Sequence, residues 1–153
     1  MFPCKPHAKE PLTEHGFKDA TTDQKRIKAW WQKWPHANIA IPTGAASGLL
    51  AADIDPRNGG NESLAELQAK HGRLPDTAEQ STGGGGRHFV FRDLGVPLPK
   101  ALAAGIDLKG DGGYIVVAPS IHPSGKQYQW VGTEVRNALL SPAEMPNWLK
   151  ECI

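Results

Sequence analysis

Two aspartates, Asp53 and Asp55, close an apolar run that begins at Leu49 and stops at Pro56. Alternate side chains of a strand share a face. A strand here therefore sends both carboxylates one way and Leu50, Ala52 and Ile54 the other. Two like charges a few ångströms apart repel unless a proton or a cation lies between them. Hard divalent cations such as Mg²⁺ or Mn²⁺ take oxygen ligands, and paired carboxylates hold them well. The plainer alternative is a solvated strand end with two surface acids, and a D-x-D pattern alone is too short to decide.

Two further segments repeat the pattern. Ser81-Thr82-Gly83-Gly84-Gly85-Gly86 is a turn, and Arg87-His88-Phe89-Val90-Phe91 follows it. As a strand, the latter puts Phe89 and Phe91 on one face and His88 and Val90 on the other. In Ile106-Asp107-Leu108-Lys109 the apolar residues share one face, and Asp107 and Lys109 share the opposite one. A sheet packed on helices through one face would gather the polar phases on its open face. Asp53, Asp55, His88, Asp107 and Lys109 would then meet. Three carboxylates, a histidine and a lysine suit metal-assisted chemistry on a phosphate ester. Arg87 falls on the other phase from His88. The Gly83–Gly86 turn suits close approach of a phosphate to backbone N–H groups, with Ser81 and Thr82 adding hydroxyls; its plainer reading is a flexible hairpin.

The elements that must position these residues alternate between strand and helix. Residues 1 to 20 read as irregular or extended. A helix is predicted over Asp23 to Trp34, with Thr22 as N-cap and Pro35 as its stop. Its tryptophans read as core. A strand over Asn38 to Pro42 and a tight turn lead into the acidic strand, Leu49 to Asp55. A helix over Glu62 to His71 turns Leu64 and Leu67 inward and ends at Gly72. Strands follow at Ala78 to Ser81, His88 to Arg92, Ile106 to Lys109, Tyr114 to Pro119 and Gln127 to Val131. Ser141-Pro142-Ala143-Glu144 has the form of a capping box before a short helix around Trp148.

The chain of 153 residues is of ordinary size for one domain, and its net charge of +1 gives no argument for nucleic acid. Locally, Lys5, Lys9, Lys18, Lys25, Arg26 and Lys28 make the N-terminal stretch basic; a solvated face is the plain reading. Cys4 and Cys152 lack C-x-x-C spacing, which gives neither a zinc site nor a disulfide framework and suits a reducing cytoplasm. There is no signal peptide and no long apolar run, so no membrane partner is expected.

Taken together, these motifs resemble the prim-pol domain of bacterial, phage and plasmid replication proteins, in the archaeo-eukaryotic primase superfamily. The match comprises Asp53-Ile54-Asp55, the Gly-rich turn running into His88, and Asp107. Flanking text agrees: Phe2-Pro3-Cys4, His15-Gly16-Phe17-Lys18-Asp19-Ala20-Thr21, Trp30-Trp31, Leu74-Pro75-Asp76-Thr77, and Pro119-Ser120 with His122-Pro123-Ser124-Gly125. The resemblance implies an α+β fold: an RRM-like catalytic sheet with helices on one face, plus a small N-terminal α/β unit. It covers residues 1–153 as a single catalytic domain. The family's usual first helix is missing before Phe2, and no helicase region follows Ile153.

The activity implied is template-directed nucleotidyl transfer from nucleoside triphosphates to a DNA primer end, in replication of a phage, plasmid or mobile element. The implied cofactors are two Mg²⁺ or Mn²⁺ ions on Asp53, Asp55 and Asp107. His88 would donate to a triphosphate oxygen. Ser81, Thr82, Gly85, Gly86, Arg87, Lys109, Ser120 and His122 complete the nucleotide-binding set. A separately encoded helicase is a further implied partner. A glycosyltransferase, a phosphohydrolase or a weakly active nucleic-acid-binding remnant remain as alternatives.

Overall fold

The strand that carries the acidic pair lies at the centre of a six-stranded sheet. The computed structural model describes residues 1–151, and Cys152 lies outside them. Its strands are β1 (Phe2–Cys4), β2 (Asn38–Pro42), β3 (Leu49–Ile54), β4 (Ala78–Ser81), β5 (Arg87–Arg92), β6 (Ala101–Ala103), β7 (Ile106–Lys109), β8 (Tyr114–Val117) and β9 (Gln129–Trp130). Its helices are α1 (Gln24–Lys33), α2 (Gly60–His71), α3 (Val135–Leu140) and α4 (Asn147–Glu151). The large sheet runs β6-β7-β3-β5-β4-β9 with every pairing antiparallel. A smaller antiparallel sheet runs β1-β2-β8. The fold is mixed α and β, as the motifs imply.

One face of the large sheet is apolar because of the alternation along its strands. Leu50, Ala52 and Ile54 of β3, Phe89 and Phe91 of β5, and Ile106 and Leu108 of β7 form one core with Leu64 of α2 and Leu149 of α4. The other face is not open throughout. Ala51, Ala78 and Val90 pack against Ile115 and Val117 of the small sheet, with Ile39 and Ile41 beside them. A cleft opens between the two sheets at the Asp53 and His88 end.

The N-terminal unit is therefore not a separate piece of sequence. Its third strand, β8, comes from far along the chain and pairs with β2 from Ile39 to Pro42. The far side of the small sheet is a second core of Phe2, Cys4, Ala40, Val116 and Tyr128, covered by Phe17 and Trp30. Burial pushes the Cys4 thiol up to about 12.

Several expectations shift. Of residues 1 to 20, expected to be irregular or extended, Phe2–Cys4 is an extended strand paired with β2. Asp23, not Thr22, caps α1: its carboxylate accepts from Lys25 N at 3.0 Å. Trp30 reaches the core only in part, and α1 buries no residue fully. Ser141 is the C-cap of α3 rather than the start of a capping box, and Glu144 pairs with Arg92 at 3.6 Å and Lys150 at 3.6 Å. No helix among the described residues is long and apolar enough to cross a membrane.

Candidate active site

The register of the large sheet sets Asp53 directly opposite His88 on one side and Asp107 on the other. The side chains of directly opposed residues stand on one face, so this triplet is fixed by strand pairing. Asp53 Oδ1 lies 3.3 Å from His88 Nε2. Lys109 Nζ lies 3.2 Å from Asp107 Oδ2 and 4.0 Å from Asp53 Oδ2.

His88 is buried, and its ring is held by Gln80, its register partner on β4. Gln80 Oε1 accepts from Ala118 N at 3.0 Å, which identifies the other amide atom as the donor. That nitrogen donates to Val116 O at 2.8 Å and faces His88 Nδ1 at 2.8 Å. Nδ1 must then accept, and the ring proton sits on Nε2, aimed at Asp53.

Burial would raise the Asp53 carboxyl, but the His88 hydrogen bond and the charges of His88, Lys109 and Lys9 outweigh it. The group lies below the usual carboxylate range. Tyr128, 6.4 Å from the His88 ring by centroid, is pushed up to about 12 by burial and by the nearby Asp53 charge.

Asp55 departs from the expected strand. The strand ends at Ile54, and Asp55 instead caps a short 3-10 turn, Pro56–Asn58. Its Oδ1 accepts from Arg57 N at 2.9 Å, and its Oδ2 accepts from Asn58 Nδ2 at 2.7 Å. Burial would raise its carboxyl, but these bonds and the Arg57 charge draw it down. Pro56 cannot donate to a ladder, so the strand breaks there and the carboxylate is free to cap. Its backbone remains extended, with φ −101 and ψ 105, so the alternation is kept. Asp53, Asp55, Asp107 and Asn58 line one cleft of ≈ 390 Å³.

Nevertheless, among the described residues no three His, Cys, Asp or Glu side chains converge as a formed metal cage. Lys109 pairs with Asp107 and reaches Asp53, whose nearer partner is His88, while Arg57 and Asn58 bind Asp55. The all-oxygen donor set still fits a hard cation. Lys109 and Arg57 place positive charge beside the same oxygens.

The other flank of the site is cationic. Lys9, Arg57, Thr82, Gly84, Gly86 and His122 line a slot of ≈ 60 Å³ that Asp53, Asp55 and His88 also border. Burial, and then the charges of Lys9 and Arg57, hold His122 below the ordinary histidine range. Beside it, Lys9, Asp53, His88, Lys109, Tyr114 and Tyr128 line a cleft of ≈ 290 Å³ between the sheets.

Not every expected nucleotide-binding group is free to face the slot. Gly85 N donates to Thr82 O at 3.0 Å and Gly86 N to Thr82 Oγ1 at 3.1 Å, so these two amides serve their own turn. Ser81 stands on the phase opposite Gln80, with Arg87 as its register partner. Arg87 turns to Glu79 at 3.7 Å and over the Phe89 ring, away from the cleft. Ser120 is buried; its Oγ accepts from Ile39 N at 2.8 Å, pinning the loop to β2.

Lys9, Arg57, Gln80 and Tyr128 are the site residues that sequence reasoning missed. Arg57 had a signal, two places after Asp55 across a proline. Lys9, Gln80 and Tyr128 reach the site through long-range pairing that no local pattern records.

An antiparallel sheet with acids and a histidine in register, flanked by a cationic slot, has the charge arrangement that a phosphate ester and its counter-ions call for. More specifically, the chain belongs to the family of bifunctional DNA primase/polymerase N-terminal domains (Prim-Pol), whose model matches residues 1–148. That family generally uses divalent metals. No curated protein matches the sequence.

Proposed function

We propose that residues 1–153 act as one catalytic domain that joins nucleotides to a primer end under direction of a DNA template, using nucleoside triphosphates. The observation that carries this reading is the register that puts Asp53 between His88 and Asp107 at the mouth between the sheets. Asp53, Asp55 and Asp107 would hold two Mg²⁺ or Mn²⁺ ions. Bound there, such ions supply Lewis-acid charge to the attacking 3′ oxygen and to the leaving pyrophosphate.

The remaining work falls to this chain's own groups. His88 has Nδ1 filled by Gln80, so it can only donate from Nε2. It is placed to give that bond to a triphosphate oxygen once Asp53 turns away. Lys9, Arg57 and His122 converge on the slot where phosphate charge would lie. Thr82 lines the same slot. Lys109 can follow the anion or stay with Asp107. The setting that fits is replication of a phage, plasmid or mobile element in the cytoplasm.

The test is extension of a labelled primer on a DNA template, with Mg²⁺ or Mn²⁺ and either ribo- or deoxynucleoside triphosphates. Asp55→Ala should abolish incorporation while the far-ultraviolet circular dichroism stays unchanged. Extension by Asp55→Ala at the wild-type rate would remove the carboxylate assignment. Free phosphate release without extension would point to a phosphohydrolase, and turnover of sugar nucleotides to a glycosyltransferase. Template binding without turnover would leave the remnant reading.

A further inference from the structure

Two groups that line the catalytic slot come from loops far apart in sequence, Lys9 before β2 and His122 after β8. Among the described residues, Lys9 is the one Lys or Arg that borders both the slot and the cleft between the sheets. It stands on a hairpin. Lys5 N donates to Glu10 O at 2.8 Å, Ala8 N to Lys5 O at 3.2 Å, and Leu12 N to Pro3 O at 2.9 Å. The hairpin's other lysine, Lys5, pairs with Glu10 at 2.8 Å. His7 at the tip has φ 55, a left-handed value uncommon outside glycine. A short two-stranded hairpin is marginal on its own, so the place of Lys9 depends on what grips the tip from outside.

Two side chains do so. Asn38, buried at the start of β2, donates from Nδ2 to Ala8 O at 3.0 Å and to Ile121 O at 2.7 Å, and its Oδ1 accepts from Ile121 N at 2.9 Å. These backbone partners fix which amide atom is which, and both amide protons are used. One amide therefore holds the residue before Lys9 and the residue before His122. Tyr114 donates from its hydroxyl to Lys9 O itself at 3.0 Å. Its ring is set edge-on to Phe2 at 5.3 Å and stacked with Phe17 at 6.3 Å. On the other loop, His122 Nδ1 accepts from Ser124 N at 3.0 Å, so the neutral ring carries its proton on Nε2. Ser124 Oγ donates to Gly83 O at 2.8 Å, which joins this loop to the Gly-rich turn.

We infer that Asn38 and Tyr114 are positioning residues of the anion slot: Asn38 sets the Lys9 and His122 loops relative to each other, and Tyr114 aims Lys9 at a bound triphosphate. Each works through the backbone of a loop that brings a group to the slot. A lysine side chain is long and flexible, so only its backbone can be fixed in advance. Holding that backbone before the anion arrives lowers the ordering cost of binding. This inference rests on the polymerase reading only in taking the anion to be a nucleoside triphosphate.

The experiment is calorimetric titration with inorganic tripolyphosphate and with dTTP, in Mg²⁺ and without primer or template, so that affinity is read apart from turnover. Tyr114→Phe removes one hydroxyl and keeps the ring. It should weaken both ligands about three- to tenfold, the range of one hydrogen bond, with far-ultraviolet circular dichroism unchanged. Lys9→Gln should weaken them at least as much. The combinations decide between roles. In Lys9→Gln protein, Tyr114→Phe should have no further effect; in Lys9→Arg protein it should have its full effect again. A purely structural hydroxyl would take the same factor from all three backgrounds. Asn38→Ala strips Ala8 O, Ile121 O and Ile121 N of a partner together and endangers the fold, so the Tyr114 series carries the test. Equal losses in every background, unchanged affinity in Tyr114→Phe, or a wild type that does not bind tripolyphosphate would overturn the inference. If primer extension fails while tripolyphosphate affinity shows this coupling, the polymerase reading falls and this one stands. If primers are extended but the Tyr114→Phe loss is independent of residue 9, this inference falls and the polymerase reading stands.

Discussion

At the scale of single residues, Gln80 decides what His88 can do. Its amide oxygen is committed to Ala118 N and its amide nitrogen to Val116 O, so the remaining N–H meets Nδ1. In wild-type protein, nitrogen NMR of the neutral His88 ring should show the Nε2–H tautomer. Gln80→Glu keeps the acceptor for Ala118 N but puts a carboxylate beside Nδ1, which draws a second proton onto the ring. The variant should show a raised Michaelis constant for nucleotide, since a doubly protonated ring holds Asp53 more tightly. A wild-type ring carrying its proton on Nδ1 would overturn this assignment. Gln80→Leu instead leaves two buried backbone groups and Nδ1 without partners, and should cost about 1–3 kcal/mol for each group left unpaired. The sequence showed His88 as a polar phase in an apolar strand. It could not show Gln80, because a lone glutamine in a short strand carries no signal until its partner strand is known.

At the scale of elements, strand alternation was the readable part. β2, β4 and β7 fall where their periodicity predicts, and β3 and β5 differ at one end by a residue. That residue matters at Asp55, where Pro56 ends the ladder and turns a strand acid into a cap. The edge strand β6 was missed because Ala101-Leu102-Ala103 is too short and too bland to alternate visibly. The packing of β8 in the second sheet was equally hidden, since pairing across so much sequence leaves no local trace.

One close contact ties these elements at the site. Asp55 N donates to Gly105 O at 2.8 Å, and Gly60 N donates to Asp55 O at 2.9 Å. A Cβ on Gly60 would lie 2.4 Å from Gly105 O and 2.7 Å from Asp55 O. Both obstacles are backbone, so the start of α2 must move away from β3 and the β6–β7 turn. Gly60→Ala should therefore destabilise the fold by about 1–3 kcal/mol, as overpacking does. Nucleotide incorporation should fall further than that loss explains, because Asp55 moves with the turn. Denaturant titration alongside primer extension checks both. Wild-type stability in Gly60→Ala would mean that the contact is not a constraint.

At the scale of the whole molecule, the mouth between the sheets balances three carboxylates against Lys9, Arg57 and Lys109. Lys109 is the hinge of that balance, reaching both Asp53 and Asp107. The Asp53 carboxyl is held below its ordinary value partly by this charge. A depressed carboxyl contributes stability that is fully present above its unfolded value, near 3.9 for aspartate, and is lost as pH falls through the lower folded value. Lys109→Met removes one source of that depression and leaves the two acids facing each other. At pH 7 the variant should lose roughly 1 kcal/mol, since both partners are partly solvated, or about 2–4 °C in Tm for a chain of this size. The difference from wild type should shrink as the carboxyls protonate below pH 4. It should also shrink when Mg²⁺ or Mn²⁺ is added at pH 7, because a divalent ion on the oxygens replaces the missing ammonium and stabilises the folded state by mass action. Thermal melts of the two proteins from pH 3 to 8, with EDTA or with Mn²⁺, read all three effects. A loss that Mn²⁺ fails to restore would show that Lys109 does not stand in the place of a cation.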